Sequence, residues 1–401
     1  MNKSLRWATP IWQLQFPKVG IVLTAYLSQV PVPTPLSLSQ ITTPTMAKDQ
    51  FTGYAALQPL DFKSGNSKLE SYTFEARPLD PDEVEILVSA CGICGSDIHQ
   101  LTDGWKRANF PLIPGHEFIG KVTAKGDQVD SLQVGDRVGV SPVCRSCGEC
   151  EHCKDGFGQL CPSKVTTYNS LYKGYRTYGG YANKVRVQAK WAIKIPSTIG
   201  DEEGAPLLCA GITTYLPFKH EKIGESHSVG VVGIGGLGHL ALQWAKAKGC
   251  KRIVAVSSSS RKAEEAKQLG ATDFIALDEG VPDDLQKSVD YLVICGSGKS
   301  TNWEQLFGLI KTRGKLVFLD LPERPVPLLP ATLIYRHISI VATFVGSHED
   351  LKEMLAFASE KGVRPWIETV GNSLEDVNRG IENMANGKAH YRIVISGEGR
   401  E

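Results

Sequence analysis

The 401-residue chain has almost no net charge and no long hydrophobic run in its N-terminal region. Its 44 Lys and Arg residues nearly balance 43 Asp and Glu residues, which leaves a formal net charge of +1. Bulk electrostatics therefore give no reason to expect nucleic acid or an anionic membrane as a partner. In the first 48 residues the best apolar run, Val19 to Tyr26, is far shorter than the ~20 residues of a membrane-spanning helix. Internal repeats and coiled-coil heptads are also lacking, so the length favours an ordinary globular protein of about two domains.

An acid-free N-terminal extension precedes the rest of the chain. Residues 1–48 contain no Asp or Glu and are rich in Pro, Ser, Thr and Gln. Their basic residues are Lys3, Arg6, Lys18 and Lys48. Two interpretations stay open: a disordered or mis-assigned extension with Met46 as the real start, or an organellar transit peptide. The first predicts a cytoplasmic protein, and the second a mitochondrial one.

Two kinds of secondary-structure pattern follow one another along the chain. Up to about residue 200, short strand-like segments recur between Gly and Pro; the alternating segment Glu83 to Ala90 predicts a half-buried strand. After residue 225 strands and helices alternate, beginning with a strand from Val229 to Gly233 and a helix from Leu237 to Lys248. This alternation predicts a parallel, doubly wound α/β sheet. The tail after residue 346 predicts one amphipathic helix, Glu349 to Lys361, and a last strand that returns to the first domain.

Four of the ten cysteines lie in one short loop with the spacing C-x2-C-x2-C-x7-C. Four soft ligands in one loop are typical of a closed, tetrahedral zinc site of the structural kind. A disulfide framework is the alternative. A chain of this length can bury a core without disulfide cross-links, and clustered C-x2-C spacing favours metal binding, which requires a reducing compartment. Cys144, three residues before the first of the four, could form a rival pair. The predicted structural zinc ligands are Cys147, Cys150, Cys153 and Cys161.

A second group of metal-type residues comes from three separate segments. It combines a thiol at Cys94, an imidazole and a carboxylate at His116 and Glu117, and a thiol at Cys209. Mixed ligands from distant segments are typical of an open, catalytic zinc site, which keeps one position for water or substrate. The sequence therefore predicts one closed and one open zinc site.

The segment Gly233-Ile-Gly-Gly-Leu-Gly238 matches G-x-G-x-x-G between a buried strand and a helix. In that context Gly233 makes the tight turn, Gly235 lets the backbone approach a pyrophosphate, and Gly238 permits close helix packing. The predicted dinucleotide contacts in this segment are Gly233, Gly235, Gly236, Leu237 and Gly238. Two zinc sites and a dinucleotide turn in one chain predict an oxidoreductase.

The end of the next strand bears on the choice between NAD and NADP. NAD-binding proteins usually carry an acidic residue there for the ribose 2′-hydroxyl. This chain instead offers hydroxyls and two cations, and two charge-assisted hydrogen bonds of ~1.5–3 kcal/mol each would favour NADP by roughly 10²–10⁴. A solvated Ser-rich turn is the alternative. The predicted 2′-phosphate contacts are Ser257, Ser258, Ser259, Arg261 and Lys262.

Taken together, these motifs resemble the zinc-dependent medium-chain alcohol dehydrogenases. The resemblance runs from about residue 50 to 396 and is carried by Cys94-Gly-Ser-Asp97, Gly115-His-Glu117, the four-cysteine loop and Leu207-Leu-Cys209. More narrowly, the chain is similar to the cinnamyl alcohol dehydrogenase branch, including fungal NADP-dependent enzymes. The narrower features are Tyr178-Gly-Gly-Tyr181, the residues around Cys209, the Ser-Arg-Lys stretch and Gly346-Ser347.

The resemblance implies a fold, cofactors and an assembly. A GroES-like, mostly β catalytic domain would comprise residues 49–207 and 347–401, and a Rossmann NADP-binding domain would comprise residues 208–346. The family also implies two Zn²⁺ ions per chain, NADP(H), a small-molecule aldehyde or alcohol as substrate, and a homodimer.

The resemblance also assigns roles to individual residues. The implied protein ligands of the catalytic zinc are Cys94, His116 and Cys209, with Glu117 as an intermittent fourth ligand. Asp97 would orient His116 and raise its basicity. Ser96 would bond the substrate oxygen, and a proton relay would pass through the cofactor ribose to His99. The resemblance further places Arg392 near the cofactor.

The sequence thus predicts a zinc-dependent NADP(H) oxidoreductase that interconverts aldehydes and primary alcohols, of cinnamyl type or of broad aliphatic and aromatic range. Two alternatives stay open. A polyol or specialised-metabolism dehydrogenase could use the same frame, and a polyol enzyme would prefer NAD. A non-catalytic, zinc-stabilised binding protein would have lost a catalytic ligand or a relay residue, and all of them are present in this sequence.

Overall fold

The computed structural model describes residues 49–64, 67–298, 301–322, 325–328 and 330–397. The predictions for residues 1–48 lie outside these ranges. Among the described residues, no helix combines the length and the apolar character that a membrane crossing requires.

Short antiparallel strands dominate the first part of the described chain, as the sequence predicts. The strands are β1 (Gln50–Ala55), β2 (Glu70–Glu75), β3 (Glu83–Ile93), β4 (Phe118–Lys125), β5 (Arg137–Val140), β6 (Val143–Arg145), β7 (Val165–Thr166), β8 (Leu171–Tyr172), β9 (Tyr175–Arg176), β10 (Lys184–Gln188) and β11 (Ala192–Lys194). The helices are α1 (Gly95–Leu101), α2 (Glu151–Lys154) and α3 (Asp201–Pro206). Strand β3 is central, because it pairs with both β4 and β10, and β5 then joins β4 to β11.

Strand β3 is buried on both faces, so the prediction of a half-buried strand is wrong. Its polar positions Glu83 and Glu85 are 0% and 5% exposed. Arg77 and Arg145 donate to the Glu83 carboxylate, and the guanidinium of Arg186 donates to Glu85 at 2.9 Å. Buried charges are tolerated when they are paired in this way. The alternation in the sequence therefore separates an apolar face from an ion-paired face, not from a solvated one.

The second part of the chain forms a six-stranded, entirely parallel sheet, which confirms the predicted doubly wound architecture. Its strands are β12 (Ser228–Val232), β13 (Arg252–Ser257), β14 (Asp273–Ala276), β15 (Val289–Ile294), β16 (Ile310–Phe318) and β17 (Ser339–Ala342). The accompanying helices are α4 (Ile212–His220), α5 (Gly238–Ala247), α6 (Ala263–Gln268), α7 (Trp303–Leu309) and α8 (Pro330–Arg336). The spatial order is β14-β13-β12-β15-β16-β17. The order reverses between β12 and β15, and ligands of such sheets bind at the carboxyl ends of the strands at that point.

The tail returns to the first sheet. It contains α9 (His348–Lys361), β18 (Ile367–Val370), α10 (Leu374–Ala385) and β19 (Arg392–Ser396). Strand β19 pairs antiparallel with β3, which confirms the predicted return. The prediction of a single amphipathic helix in the tail is wrong, because α10 is a second one. Ser373 caps α10 by accepting from the Asp376 amide, and the helix buries Val377 and Ile381 against the first sheet.

One large apolar core connects the two sheets. It includes Ile119 of β4, Leu240 of α5 and Leu351 of α9, all of them essentially inaccessible to solvent. The boundaries at residues 207/208 and 346/347 stay predictions. Elements of both sheets and of the tail thus pack together around the residues described next.

Candidate active site

The four residues predicted for the open zinc site lie together. The donor atoms of Cys94, His116, Glu117 and Cys209 are all within 4.8 Å of one another, and all four residues are buried. Cys94 follows β3 and precedes α1, while His116 and Glu117 directly precede β4. Cys209 lies in a π-helical turn, Leu207–Gly211, between α3 and α4. Such turns are rare and occur frequently at functional sites.

Burial and mutual contacts set the protonation of this cluster. A hydrogen bond from Cys209 holds the pKa of Cys94 well below its ordinary value, so the negative charge concentrates on Cys94. Burial acts to lower the pKa of His116, but Asp97 and Cys94 together outweigh it and hold that pKa well above its usual range. Burial also raises the pKa of Glu117 to about 8. The protein thus gathers thiol, imidazole and carboxyl donors whose protons a bound metal cation would displace.

Glu117 tests whether a metal fits among these donors. Its Oε1 pairs with Arg392, whereas its Oε2 is buried without a hydrogen-bond partner. A buried carboxylate oxygen without a partner is costly, and a cation beside it removes that cost. His116 Nε2 faces Cys209 Sγ at 3.2 Å, so these two donors already converge on one point. Two thiols, one imidazole and one carboxylate form a donor set that suits Zn²⁺.

Asp97 is the buried carboxylate that orients the cluster. Its Oδ1 lies 3.0 Å from His116 Nδ1 and accepts from the Gly115 amide at 3.1 Å. Its Oδ2 accepts from the Cys94 amide at 2.9 Å. Burial, together with the nearby Asp97 carboxylate, raises the pKa of Tyr168. With Nδ1 engaged by Asp97, the His116 ring presents Nε2 to the other donors, which is the contact that the sequence predicts for Asp97.

Arg392 joins the metal-type cluster to the nucleotide turn. It is 2% exposed and forms an ion pair with Glu117. On its other side, a Cβ added to Gly236 would lie only 3.1 Å from the Arg392 side chain. Burial of the guanidinium is tolerated because the negative charges of the cluster, on Cys94 and on Glu117 when it is ionised, compensate its charge. Arg392 therefore lies beside both the carboxylate of the open site and the G-x-G-x-x-G segment.

The four-cysteine loop forms a second, separate cluster. The sulfur atoms of Cys147, Cys150, Cys153 and Cys161 lie within 4.8 Å of one another. The amides of Glu149 and Cys150 donate to Cys147 Sγ and help to lower the pKa of Cys147 to about 6. All ten cysteines belong to the described residues, and all are free thiols. The donor set fits a closed Zn²⁺ site.

Cys144, which could form a rival pair with Cys147, lies outside this cluster. Its thiol is buried against the first sheet and donates to the Val165 carbonyl at 3.5 Å. Burial raises the pKa of Cys144 to about 12, which disfavours the thiolate that metal binding requires.

The glycines of the nucleotide turn satisfy the geometric demands of that motif. Gly233 has φ of +84° at the carboxyl end of β12. A Cβ at Gly238 would lie 2.1 Å from the Gly233 carbonyl oxygen, so only glycine fits there. A Cβ at Gly235 would meet nothing within 4 Å, so its backbone borders open space that a pyrophosphate can approach. The segment therefore fits a dinucleotide.

The Ser-Arg-Lys stretch lies beside this turn. Ser257 ends β13, and a single 3-10 turn, Ser260–Lys262, leads into α6. Lys262 Nζ donates to the Ile234 carbonyl at 2.7 Å and lies 4.6 Å from the centre of the Tyr391 ring. Ser258 and Arg261 are exposed. Lys262 is thus next to the glycine turn, and the role of Lys262 and Arg261 as phosphate contacts stays a prediction.

Ser96 and His99 both lie on α1, directly after Cys94. They are three residues apart, so they share one face of the helix, and both are partly exposed. The His99 ring stacks on Trp105 with 4.8 Å between ring centres and 20° between ring planes. The structure brings the predicted relay residues together beside the mixed cluster; the proton relay itself stays a prediction.

His239 is a residue at this site that the sequence analysis did not identify. Its Nδ1 donates to the Gly235 carbonyl at 3.1 Å, and its Nε2 accepts from the Trp366 amide at 3.2 Å. Burial lowers the pKa of His239 to about 3, so the ring stays neutral and can accept at Nε2. His239 therefore links Gly235 of the nucleotide turn to Trp366 of the tail through two hydrogen bonds. The signal available was its position, immediately after the last glycine of the motif.

A closed thiolate cluster, an open mixed cluster and a dinucleotide turn in one chain define the machinery of a metal-dependent dehydrogenase, and comparisons with known proteins agree. Residues 80–197 match the family model of the alcohol dehydrogenase GroES-like domain, and residues 236–360 match that of the zinc-binding dehydrogenases. A probable mannitol dehydrogenase of Medicago sativa is 36% identical over 82% of this chain and 91% of its own length.

Two solved structures extend the comparison. A cinnamyl alcohol dehydrogenase from Sorghum bicolor superimposes with a TM-score of 0.81 at 33% identity, over 88% of this chain and 99% of that one. The CAD protein of Helicobacter pylori, complexed with NADP(H), gives a TM-score of 0.79 at 28% identity, over 87% and 99% of the two chains. The chain belongs to the zinc-dependent medium-chain alcohol dehydrogenases, in the cinnamyl alcohol dehydrogenase branch. It is therefore an enzyme of zinc-dependent alcohol and aldehyde oxidoreduction.

Proposed function

We propose that this enzyme reduces aldehydes to primary alcohols, and oxidises them in reverse, with NADP(H) as the preferred cofactor. One observation carries the proposal: the open zinc-type cluster lies near a nucleotide turn that Lys262 contacts. The residues of this cluster are Cys94, His116, Glu117 and Cys209. A substrate with an aromatic or aliphatic tail is favoured, because the Arg392 guanidinium beside the zinc residues is buried and already paired with Glu117, and so is not available to an acidic substrate. Family membership supports the reaction class, and the NADP(H) complex of the Helicobacter pylori relative supports the cofactor.

The proposed division of labour follows from the donor sets. Cys94, His116 and Cys209 would hold one Zn²⁺, with Glu117 as an exchangeable fourth ligand, and the four-cysteine loop would hold another. When bound, the catalytic zinc supplies Lewis-acid polarisation of the carbonyl and NADPH supplies the hydride. Glu117 can serve as an exchangeable ligand because Arg392 already pairs with its Oε1.

Proton handling falls to the residues of α1. We assign to Ser96 Oγ the hydrogen bond to the substrate oxygen, since it lies two residues beyond Cys94 on the same short helix. His99, one turn further along, would exchange the proton with solvent. Carbonyl reduction adds a proton to oxygen, so a route of this kind is required for alcohol and aldehyde chemistry.

Variants of the two relay residues separate proton transfer from cofactor binding. Ser96→Ala is expected to lower kcat by about 10²-fold, and His99→Ala by about tenfold, with KM for NADPH changed less than about twofold. The measurement is steady-state kinetics across a pH series, with added imidazole for the His99 variant. Partial recovery of His99→Ala by imidazole supports a proton-transfer role. Unchanged kcat in both variants would remove them from the mechanism.

The substrate proposal is tested by a panel that also covers the alternative. The mannitol dehydrogenase name of one relative favours a polyol as the second candidate. Initial rates should be compared for cinnamaldehyde, a short series of aliphatic aldehydes, and mannitol in the oxidative direction. Turnover of several aldehydes, with mannitol at least about tenfold poorer in kcat/KM, supports the proposal. Mannitol as the best substrate would replace it with the polyol function.

We propose that two copies of the chain pair through the free edge of the parallel sheet. Strand β17 pairs only with β16 among the described strands, and Ser339, Ile340 and Ala342 are exposed. Helix α8, which precedes it, has no buried residue, and its Ile334 and Tyr335 are 66% and 84% exposed. An exposed apolar edge is a liability that self-pairing about a twofold axis removes.

Substitution at this edge tests the proposed homodimer. The double variant Tyr335→Glu with Ile340→Lys is expected to sediment as a monomer in analytical ultracentrifugation at concentrations where the wild type is a dimer. Leu171→Lys, at another strongly exposed apolar position, is the matched control and should stay dimeric. A wild type that is monomeric, or a double variant that stays dimeric, contradicts this interface.

The proposed compartment is the cytoplasm, with the mitochondrion as the alternative if the first 45 residues act as a transit peptide. Support comes from the thiols. Ten free cysteines, six of them gathered in the two clusters, fit a reducing compartment better than an oxidising one.

A further inference from the structure

A carboxylate lies close to the proposed 2′-phosphate contacts. Glu265 follows Lys262 by three residues, at the first turn of α6, so the two side chains emerge on neighbouring positions of the helix surface. In that arrangement a lysine and a glutamate can pair with each other. Lys262 would then be partly neutralised, and a 2′-phosphate bound to it would face a second negative charge.

Glu265 does not pair with Lys262 in this structure, because residues of the tail hold its carboxylate. The Tyr391 hydroxyl donates to Glu265 Oε2 at 2.5 Å, and His390 Nε2 lies 3.0 Å from Oε1. Lys262 instead donates to the Ile234 carbonyl and lies over the face of the Tyr391 ring. Tyr391 thus contacts both Glu265 and Lys262, which do not pair with each other.

Tyr391 is well placed to maintain this separation. It is 2% exposed, and its ring packs at 5.0 Å from the His239 ring and edge-on to Trp366 at 5.4 Å between ring centres. A side chain fixed on both faces has little freedom, so its hydroxyl keeps one position. The hydroxyl hydrogen bond from Tyr391 also lowers the pKa of Glu265, which keeps the carboxylate charged and its restraint relevant.

We propose that Tyr391 is a positioning residue for cofactor discrimination: by holding the Glu265 carboxylate, it keeps Lys262 available for the 2′-phosphate of NADP. This inference rests on the proposed NADP preference. If the Tyr391 hydrogen bond is lost, Glu265 keeps only its contact with the exposed His390 ring. Its carboxylate can then turn to pair with Lys262 and to accept a hydrogen bond from an unphosphorylated ribose 2′-hydroxyl. Tyr391 therefore acts through Glu265 and does not itself bind the phosphate.

The test uses Tyr391→Phe, Glu265→Gln and the double variant in the full-length, zinc-replete protein. Tyr391→Phe keeps the ring under Lys262 and deletes only the hydroxyl. We expect it to weaken binding of 2′,5′-ADP, a fragment that carries the 2′-phosphate, by about fivefold to tenfold in isothermal titration calorimetry, with 5′-AMP changed less than about twofold. The ratio of kcat/KM for NADPH to that for NADH should fall by the same factor, through KM and not kcat.

Glu265→Gln removes the negative charge that could otherwise pair with Lys262. The double variant is therefore expected to regain affinity for 2′,5′-ADP to within about twofold of the Glu265→Gln single variant. Loss of packing at Tyr391 would not be repaired by a change at Glu265. A double variant as weak as Tyr391→Phe overturns the inference, and so does a Tyr391→Phe protein with unchanged 2′,5′-ADP affinity.

Tyr215 provides a matched control elsewhere in the fold. It is a buried tyrosine whose hydroxyl donates to Glu353 at 2.8 Å and whose ring lies 5.0 Å from Lys248 Nζ. Tyr215→Phe should leave both affinities unchanged, and a fall in 2′,5′-ADP affinity there would overturn the assignment to Tyr391. Failure of the underlying cofactor proposal is seen separately, because wild-type protein would then bind 2′,5′-ADP no better than 5′-AMP.

Discussion

Replacing Cys209 with serine is expected to lower kcat/KM for aldehyde reduction by about 10³-fold and to reduce the zinc content from two ions per chain to one. The thiol of Cys209 converges with His116 Nε2 at 3.2 Å in a fully buried cluster. A hydroxyl is a much poorer zinc ligand than a thiolate. Loss of several kcal/mol of carbonyl polarisation corresponds to a factor of this size, at 1.36 kcal/mol per tenfold.

The measurement combines metal analysis with steady-state kinetics. Cys144→Ser is the matched control, since Cys144 is also a buried thiol but lies outside both clusters. It should retain two zinc ions per chain and a rate within about twofold of wild type. The remaining zinc ion in Cys209→Ser, together with an unchanged circular dichroism spectrum, reports that the fold is intact. Two zinc ions and a normal rate in Cys209→Ser would exclude Cys209 as a ligand.

The second large effect concerns the cofactor. Lys262→Met is expected to raise KM for NADPH by about 10–100-fold while changing KM for NADH less than about twofold. The methionine keeps most of the length of the side chain and removes the ammonium charge, which lies over the Tyr391 ring. One charge-assisted hydrogen bond of ~1.5–3 kcal/mol accounts for a factor of this order.

The readout is the pair of KM values, measured with the same aldehyde at saturation. Lys267→Met is the control, because Lys267 is an exposed lysine on the same helix α6. It should change neither KM value. Equal weakening of NADPH and NADH by Lys262→Met would mean that Lys262 contacts a part shared by both cofactors, and the Ser257–Lys262 argument would then lose its basis.

The features that the sequence predicts well are those that depend on local pattern. The βα alternation after residue 225 requires a parallel sheet whatever the tertiary context, and the structure has one. The spacing of Cys147, Cys150, Cys153 and Cys161 places four sulfurs in one loop, where only one short segment must fold correctly. Gly233 and Gly238 belong to this class too, because each backbone demand is local to the turn.

The features that the sequence does not show depend on contacts between distant segments. Glu83 and Glu85 read as solvent-facing positions, yet arginines far along the chain pair with them inside the sheet. No sequence pattern near Glu265 indicates that the hydroxyl of Tyr391, 126 positions away, donates a hydrogen bond to the Glu265 carboxylate. Helix α10 is a different case, because Leu374, Val377, Ile381 and Met384 recur at helical spacing and pack on the first sheet, so the sequence did carry a signal for this helix.

The candidate site depends both on local sequence pattern and on contacts between distant segments. Cys94, His116 and Cys209 are predicted from their residue types and from the resemblance to a family, but their convergence within 4.8 Å is a property of the fold. Asp97 could be predicted as the partner of His116 on the same grounds. The resemblance also places Arg392 near the cofactor, and the structure has it beside Gly236. The ion pair of Arg392 with Glu117 could not be predicted, since it depends on how strand β19 packs beside the open site.

The most direct test of the central claim is the initial rate of cinnamaldehyde reduction by zinc-replete protein, with NADPH and NADH measured side by side. We expect a kcat/KM that is about 10²-fold or more higher with NADPH than with NADH, and loss of the activity when a chelator removes zinc. Equal efficiency with the two cofactors, or turnover that persists in fully zinc-depleted protein, would contradict it.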